Sequence, residues 1–112
     1  MQPKAKRRIV VVAEFSIHPI GEGTSVGRYV KSAVRALSKV RRLTFDVTPM
    51  SSVLEAENIG TILQAVEVSH RAVRSMGAKR ISSSLRIDEH LDKRRRMSDK
   101  TRGLKRLTRA RT

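Results

Sequence analysis

Five segments of hydrophobic periodicity follow one another in this chain in the order two, 3.6, two, 3.6 and two, with a short hairpin strand between the third and fourth, and few folds accept that order. Residues 9–17 open the series. Their odd positions, Ile9, Val11, Ala13, Phe15 and Ile17, are all apolar, whereas the even positions run Val10, Val12, Glu14 and Ser16. Side chains alternate across a strand, so one face of this strand is wholly apolar and the other turns polar halfway along. His18-Pro19-Ile20-Gly21-Glu22-Gly23 is a break, and Thr24 or Ser25 is a suitable N-cap for a helix beginning there. Val26, Tyr29, Val30, Ala33, Val34, Leu37 and Val40 recur with helical spacing, which leaves Arg28, Lys31, Arg35 and Lys39 outside.

Leu43 to Thr48 alternates again, and Pro49 ends that strand because it cannot donate to a ladder. A short strand over 51–57 returns as a hairpin. Asn58 then caps a second helix whose apolar stripe is Ile59, Ile62, Leu63, Val66, Val73 and Met76, with Gly77 as its C′ residue. In the last segment, 80–88, Ile81, Ser83, Leu85 and Ile87 share one face, and Ser82, Ser84, Arg86 and Asp88 share the other. The order β-α-β-β-α-β predicts an α+β protein of the ferredoxin-like kind. Its four-stranded antiparallel sheet carries both helices on one face and leaves the other open. Met97, Leu104 and Leu107 give a faint stripe beyond it, enough for a short C-terminal helix or a tail.

At 112 residues this is a single-domain length. Phe15, Tyr29 and Phe45 are the only aromatic residues, so the core is aliphatic. Cysteine is absent, which removes disulfides and thiolate chemistry and suits a reducing compartment. The net charge of +15 suggests nucleic acid until its distribution is read. Residues 1–8 carry four basic groups and no acid, and residues 93–112 carry ten basic groups and one acid. The stretch 9–92 holds eleven basic and nine acidic groups and is close to neutral. This predicts a basic N-terminal tail over 1–8, one ligand-binding domain over 9–92 and a basic C-terminal extension over 93–112. No segment approaches the ~18 apolar residues of a membrane span. The expected location is the cytoplasm.

The open face is expected to carry Glu14, Ser16 and His18 from the first strand and Thr44, Asp46 and Thr48 from the second. Ser82, Ser84, Arg86 and Asp88 come from the last. If Leu54 packs inward, Val53 and Glu55 join them. Val10, Val12 and Val53 would form an apolar patch that suits a partner. Enzymatic constellations are thin. Serine with His18, His70 or His90 has no triad spacing, and His70, inside the second helix, reads as structural. His18, His90, Asp88 and Asp92 lack a tight metal-ligand pattern. Gly21-x-Gly23 before a helix matches neither glycine fingerprint fully and reads as a turn. No catalytic or metal residue is assigned.

Glu14-Phe15-Ser16-Ile17, Pro19-Ile20-Gly21, Gly23-Thr24-Ser25-Val26 and Tyr29-Val30 resemble the opening of a family of small thiamine-binding proteins long catalogued as uncharacterised. Leu43, Thr48-Pro49-Met50, Leu54-Glu55, His70, Gly77 with Arg80, Ile87-Asp88 and Asp92-Lys93 continue the resemblance over about residues 9–93. The resemblance implies a ferredoxin-like fold, a homotetramer built as a dimer of dimers, and binding of thiamine or its hydroxymethylpyrimidine moiety without turnover or a required cofactor. It implies Glu14, Ser16, Ser25, Thr48, Met50, Ser52, Glu55 and Ser84 as ligand-binding residues, in a pocket of the open face near a subunit interface. Ser51 and Ser52 stand where the family usually has glycine and threonine, and Ala56 where it has glycine. Its closing Asp-Asp-Arg-Arg-Asp-Lys reads Asp88-Glu89-His90-Leu91-Asp92-Lys93 here. The alternative function is a nucleic-acid-associated protein acting through the basic tails. The sheet lacks the exposed aromatic pairs on which bases stack.

Overall fold

The structure, a computed structural model, describes residues 10–23 and 26–91. Six elements occur in the expected order: β1 (Val11–Pro19), α1 (Gly27–Leu37), β2 (Thr44–Val47), β3 (Ser52–Ala56), α2 (Ile59–Ser75) and β4 (Ile81–Glu89). The strands form one sheet in the order β2-β3-β1-β4, with every neighbouring pair antiparallel. The architecture is the ferredoxin-like βαββαβ sandwich. The stripe of Met97, Leu104 and Leu107 and both basic ends lie outside the described residues.

Parity along β1 sets the layers. Val11, Ala13 and Phe15 are buried beneath the helices, whereas Glu14 and His18 are exposed on the other face. Leu54 of β3 is also fully buried, which turns Val53 and Glu55 outward beside β1. Leu37, Ile62 and Ala65 complete this core, and Tyr29, Ala33, Val73 and Ala78 form a smaller cluster toward the other end of the helices.

One boundary and two burial assignments depart from the periodicity. β1 continues to Pro19 instead of stopping at 17. The Ile20 N–H donates to the Arg80 carbonyl across β4, so the Pro19 nitrogen faces the side where β3 has already ended. A missing N–H costs nothing there. Leu63 is 51% exposed, and the stripe that α2 buries is Ile62, Ala65, Ser69 and Val73. Ser69 fits an apolar layer because its hydroxyl donates back to the Ala65 carbonyl at 2.8 Å. Val10, expected on the open face with Val12, is buried.

The helix ends reflect local chemistry. Asn58 Oδ1 accepts from the Thr61 N–H at 2.8 Å and from the Thr61 hydroxyl at 3.0 Å, giving α2 its N-cap. Gly77 closes the same helix at φ +100°, a left-handed conformation that a Cβ disfavours. α1 starts after Val26 with no side-chain cap from that residue, and Thr24 and Ser25 lie outside the described residues. The Glu22 carboxylate accepts from the buried Tyr29 hydroxyl at 2.9 Å and so ties the loop after β1 to α1.

Removing the α2 cap by Asn58→Ala is expected to cost about 1 kcal/mol. Leu54→Ala, which empties a fully buried position, is expected to cost roughly 2–5 kcal/mol. Urea unfolding followed by circular dichroism checks both, with lowered midpoints and an unchanged slope as the expected result.

Candidate functional site

β1 is longer than its neighbour. β3 pairs with Val11 to Phe15 only, so the stretch from Ser16 to Pro19 is hydrogen-bonded to β4 alone. The turn between β2 and β3 hangs in the space this leaves, and α1 passes beneath. The result is a notch at the rim of the sandwich, holding a cavity of about 110 Å³. Its floor is apolar, made by Phe15, Val30, Ala33, Val34 and Leu37, and its upper walls are Ser16, Thr48, Pro49, Met50, Ser51 and Ser52.

Thr48 holds the turn in shape. Its hydroxyl donates to the Ser51 carbonyl at 2.8 Å and accepts the N–H groups of Met50 and Ser51 at 3.2 and 3.1 Å. The Thr48 N–H also donates to the Ser51 carbonyl, at 2.8 Å. A turn closed on its own threonine holds its shape through bonds within the turn. Met50 at the tip is 86% exposed and presents a polarizable thioether at the cavity.

The cavity connects with the open face through Ser51. The Ser51 hydroxyl donates to Glu14 Oε2 at 3.2 Å, which holds the exposed carboxylate next to a cavity wall. One row along, Ser16 and Ser84 share a hydroxyl–hydroxyl bond of 3.1 Å. The next row across the sheet is Asp46, Val53, Glu14 and Arg86, and the one beyond it is Thr44, Glu55, Val12 and Asp88. Val12, Ala13, Glu14, Val53, Arg86 and Asp88 line a shallow depression of about 160 Å³ in these rows.

The eight sequence-derived positions therefore divide. Ser16, Thr48, Met50 and Ser52 line the notch, Glu14 is linked to it by Ser51, and Ser84 is bonded to Ser16. Glu55 is on the open face one diagonal step from Glu14. Ser25 lies outside the described residues. Ser52 differs from the expectation of an open-face residue. It has the parity of Leu54 and pairs with Phe15, so it faces the helices and lines the cavity from the covered side of the sheet. Sequence reasoning met Ser51 only as a departure from a family pattern. Counting back from an inward Leu54 assigns Ser51 outward, and that was the available signal.

The histidines sit apart from this arrangement. His70 Nε2 is 2.7 Å from the Ser83 hydroxyl and joins α2 to β4. His90 Nε2 lies 3.7 Å from Asp88. Among the described residues no group of three His, Asp or Glu side chains could hold a metal ion. No helix among them is long and apolar enough to cross a membrane.

Comparison with known proteins gives a consistent result. A family described as thiamine-binding protein matches residues 13–105. A UPF0045 protein of Methanothermobacter thermautotrophicus is 34% identical over 97 residues, covering 86% of this chain and 97% of its own length. A solved structure of a hypothetical protein from Methanocaldococcus jannaschii superposes with a TM-score of 0.77 at 38% identity, covering 85% of this chain and 95% of its own. A Thermotoga maritima protein, whose name suggests a part in thiamine biosynthesis or salvage, shares the fold with a TM-score of 0.69 at 19% identity, over 83% of this chain and 97% of its own.

Thr48→Val keeps the shape of the side chain and removes its hydroxyl. The amides of Met50 and Ser51 are then expected to exchange with solvent roughly 2- to 10-fold faster, the worth of one ordinary hydrogen bond. Amide hydrogen exchange read at those two residues is the check, with the protection of β1 unchanged.

Proposed function

This chain belongs to the thiamine-binding protein family, and from that premise we propose that it binds thiamine, or the hydroxymethylpyrimidine part of it, at the notch between α1 and the β2–β3 turn without turning it over. The observation that carries the reading is the convergence of Ser16, Thr48, Met50 and Ser52 on one cavity whose wall residue Ser51 holds Glu14.

The chemistry of the ligand matches in kind. An aminopyrimidine is a flat ring with an amine donor and ring-nitrogen acceptors. An apolar floor takes its faces, while hydroxyl groups and a carboxylate take its edge. At about 110 Å³ the notch takes one edge of such a ring and leaves the rest outside the rim, since a cavity that encloses benzene measures roughly 150 Å³. The thiazolium ring then lies toward the open face, where Glu14 offers negative charge to its cation and Glu55 is the next carboxylate along. Selectivity for the pyrimidine comes from hydroxyls that would lose hydrogen bonds to any ring lacking its donors and acceptors.

The open face also suits self-association. Val12 and Val53 are half-buried there among polar neighbours, and β4 is an edge strand whose outer backbone edge pairs with no strand among the described residues. A homotetramer made as a dimer of dimers would set each site near a subunit interface. Light scattering coupled to gel filtration tests this: a mass near four times 12.6 kDa is expected, and a concentration-independent monomer rules it out.

Titration calorimetry with thiamine at moderate and high salt tests the binding itself. Saturable heat that salt barely changes is expected. Glu14→Gln is expected to weaken binding roughly 10- to 100-fold, in line with a hydrogen bond to a charged group. No heat with either thiamine or its pyrimidine fragment would sink the reading. Nucleic-acid association through the tails is the competing reading, and its affinity would fall steeply with salt.

A further inference from the structure

Glu14 and Arg86 are Cα partners across β1 and β4, on the same face and with nothing between them in the pairing register. Opposite charges so placed usually pair and stabilise a sheet by roughly 0.2–1 kcal/mol. Here they do not. Glu14 leans the other way, toward the Ser51 hydroxyl on the far side of β1. Arg86 is exposed and has no ion-pair or hydrogen-bond partner among the described residues. Arg86 lines the same shallow depression as Glu14.

A surface that holds an anion and a cation apart, side by side, is complementary to a ligand with both charges. The anionic pole adjoins the notch through Ser51, and the cationic pole lies one strand farther out, beside the Ser16–Ser84 hydroxyl pair. From these positions, and resting on the thiamine reading above, we infer that the preferred ligand is a phosphate ester of thiamine, with its ring cation over Glu14 and its phosphate on Arg86. The ester is a zwitterion whose charges are borne by one ring and by the substituent that ring carries. Arginine suits the second role because its planar fork donates two parallel hydrogen bonds to phosphate oxygens. Unphosphorylated thiamine would leave Arg86 unused and bring its cation close to a like charge.

The test compares thiamine, thiamine monophosphate and inorganic phosphate by calorimetry with the full-length protein at physiological salt. The monophosphate is expected to bind roughly 10- to 100-fold more tightly than thiamine, the worth of a charge-assisted contact. Arg86→Gln is expected to erase that preference while leaving thiamine itself within about threefold. Arg86→Lys, which keeps the charge and loses the fork, is expected to retain part of the preference and guards against a folding effect. Equal affinity for thiamine and its monophosphate overturns the inference and leaves thiamine binding standing. A preference that survives Arg86→Gln overturns it too. Inorganic phosphate binding as tightly as the ester would show a free anion site instead, which also overturns it. Absence of heat with both thiamine and its ester removes the underlying reading and this inference with it.

Discussion

The pleat of β1 decides what every other element can do. It is hydrogen-bonded to β3 on one side and β4 on the other, so its register cannot slip without unpairing two strands at once. Val11, Ala13 and Phe15 are buried against the helices, and a shift of one residue would exchange them for Val12, Glu14 and Ser16. Burying an unpaired carboxylate at Glu14 would be far costlier than losing the hydrophobic contacts. The same residue that is proposed to face the ligand therefore also locks the strand.

The site arises from a mismatch of strand lengths. If β3 matched β1 along its length, the β2–β3 hairpin would close the sheet over the first helix and the notch would not exist. Because pairing on that side stops at Phe15, the apolar side chains of α1 beneath the rim are covered by a turn and not by a strand. Thr48 supplies the turn with its own hydrogen bonds, so it needs none from β1. Its outer residue Ser51 is left free to engage Glu14, and that contact joins the cavity wall to the open face of the sheet.

Much of this was legible in the residues. Alternation along 9–17 and 80–88 sorted the faces of both long strands, Asn58 marked the start of α2, and Gly77 marked its end. The misses have identifiable causes. Leu63 fits the apolar spacing of a core stripe, but the buried stripe runs through the small residues Ala65 and Ser69. A pattern that counts only large apolar side chains is blind to such a stripe. The break over His18–Gly23 overlaps the end of β1, because nothing local in sequence tells that β3 ends before reaching Pro19. Ser52 was grouped with the open face because a family pattern names positions without naming sides, although the parity of Leu54 was enough to place it. The notch itself was out of reach, since it depends on the relative lengths of strands that are distant in the chain.

A division of labour comes from the turn being one wall of the notch. The sheet and both helices would fold as they do with a different loop between Val47 and Ser52, because apart from the Ser51–Glu14 contact that loop's hydrogen bonds are local and its tip is exposed. Loop tips of this kind absorb replacement and insertion with little effect on the scaffold. Changes at 48–51 can therefore alter the size and polarity of the opening while the buried floor under Phe15 stays the same. The architecture thus joins a fixed buried floor to a rim whose residues can be exchanged without passing again through the problem of folding.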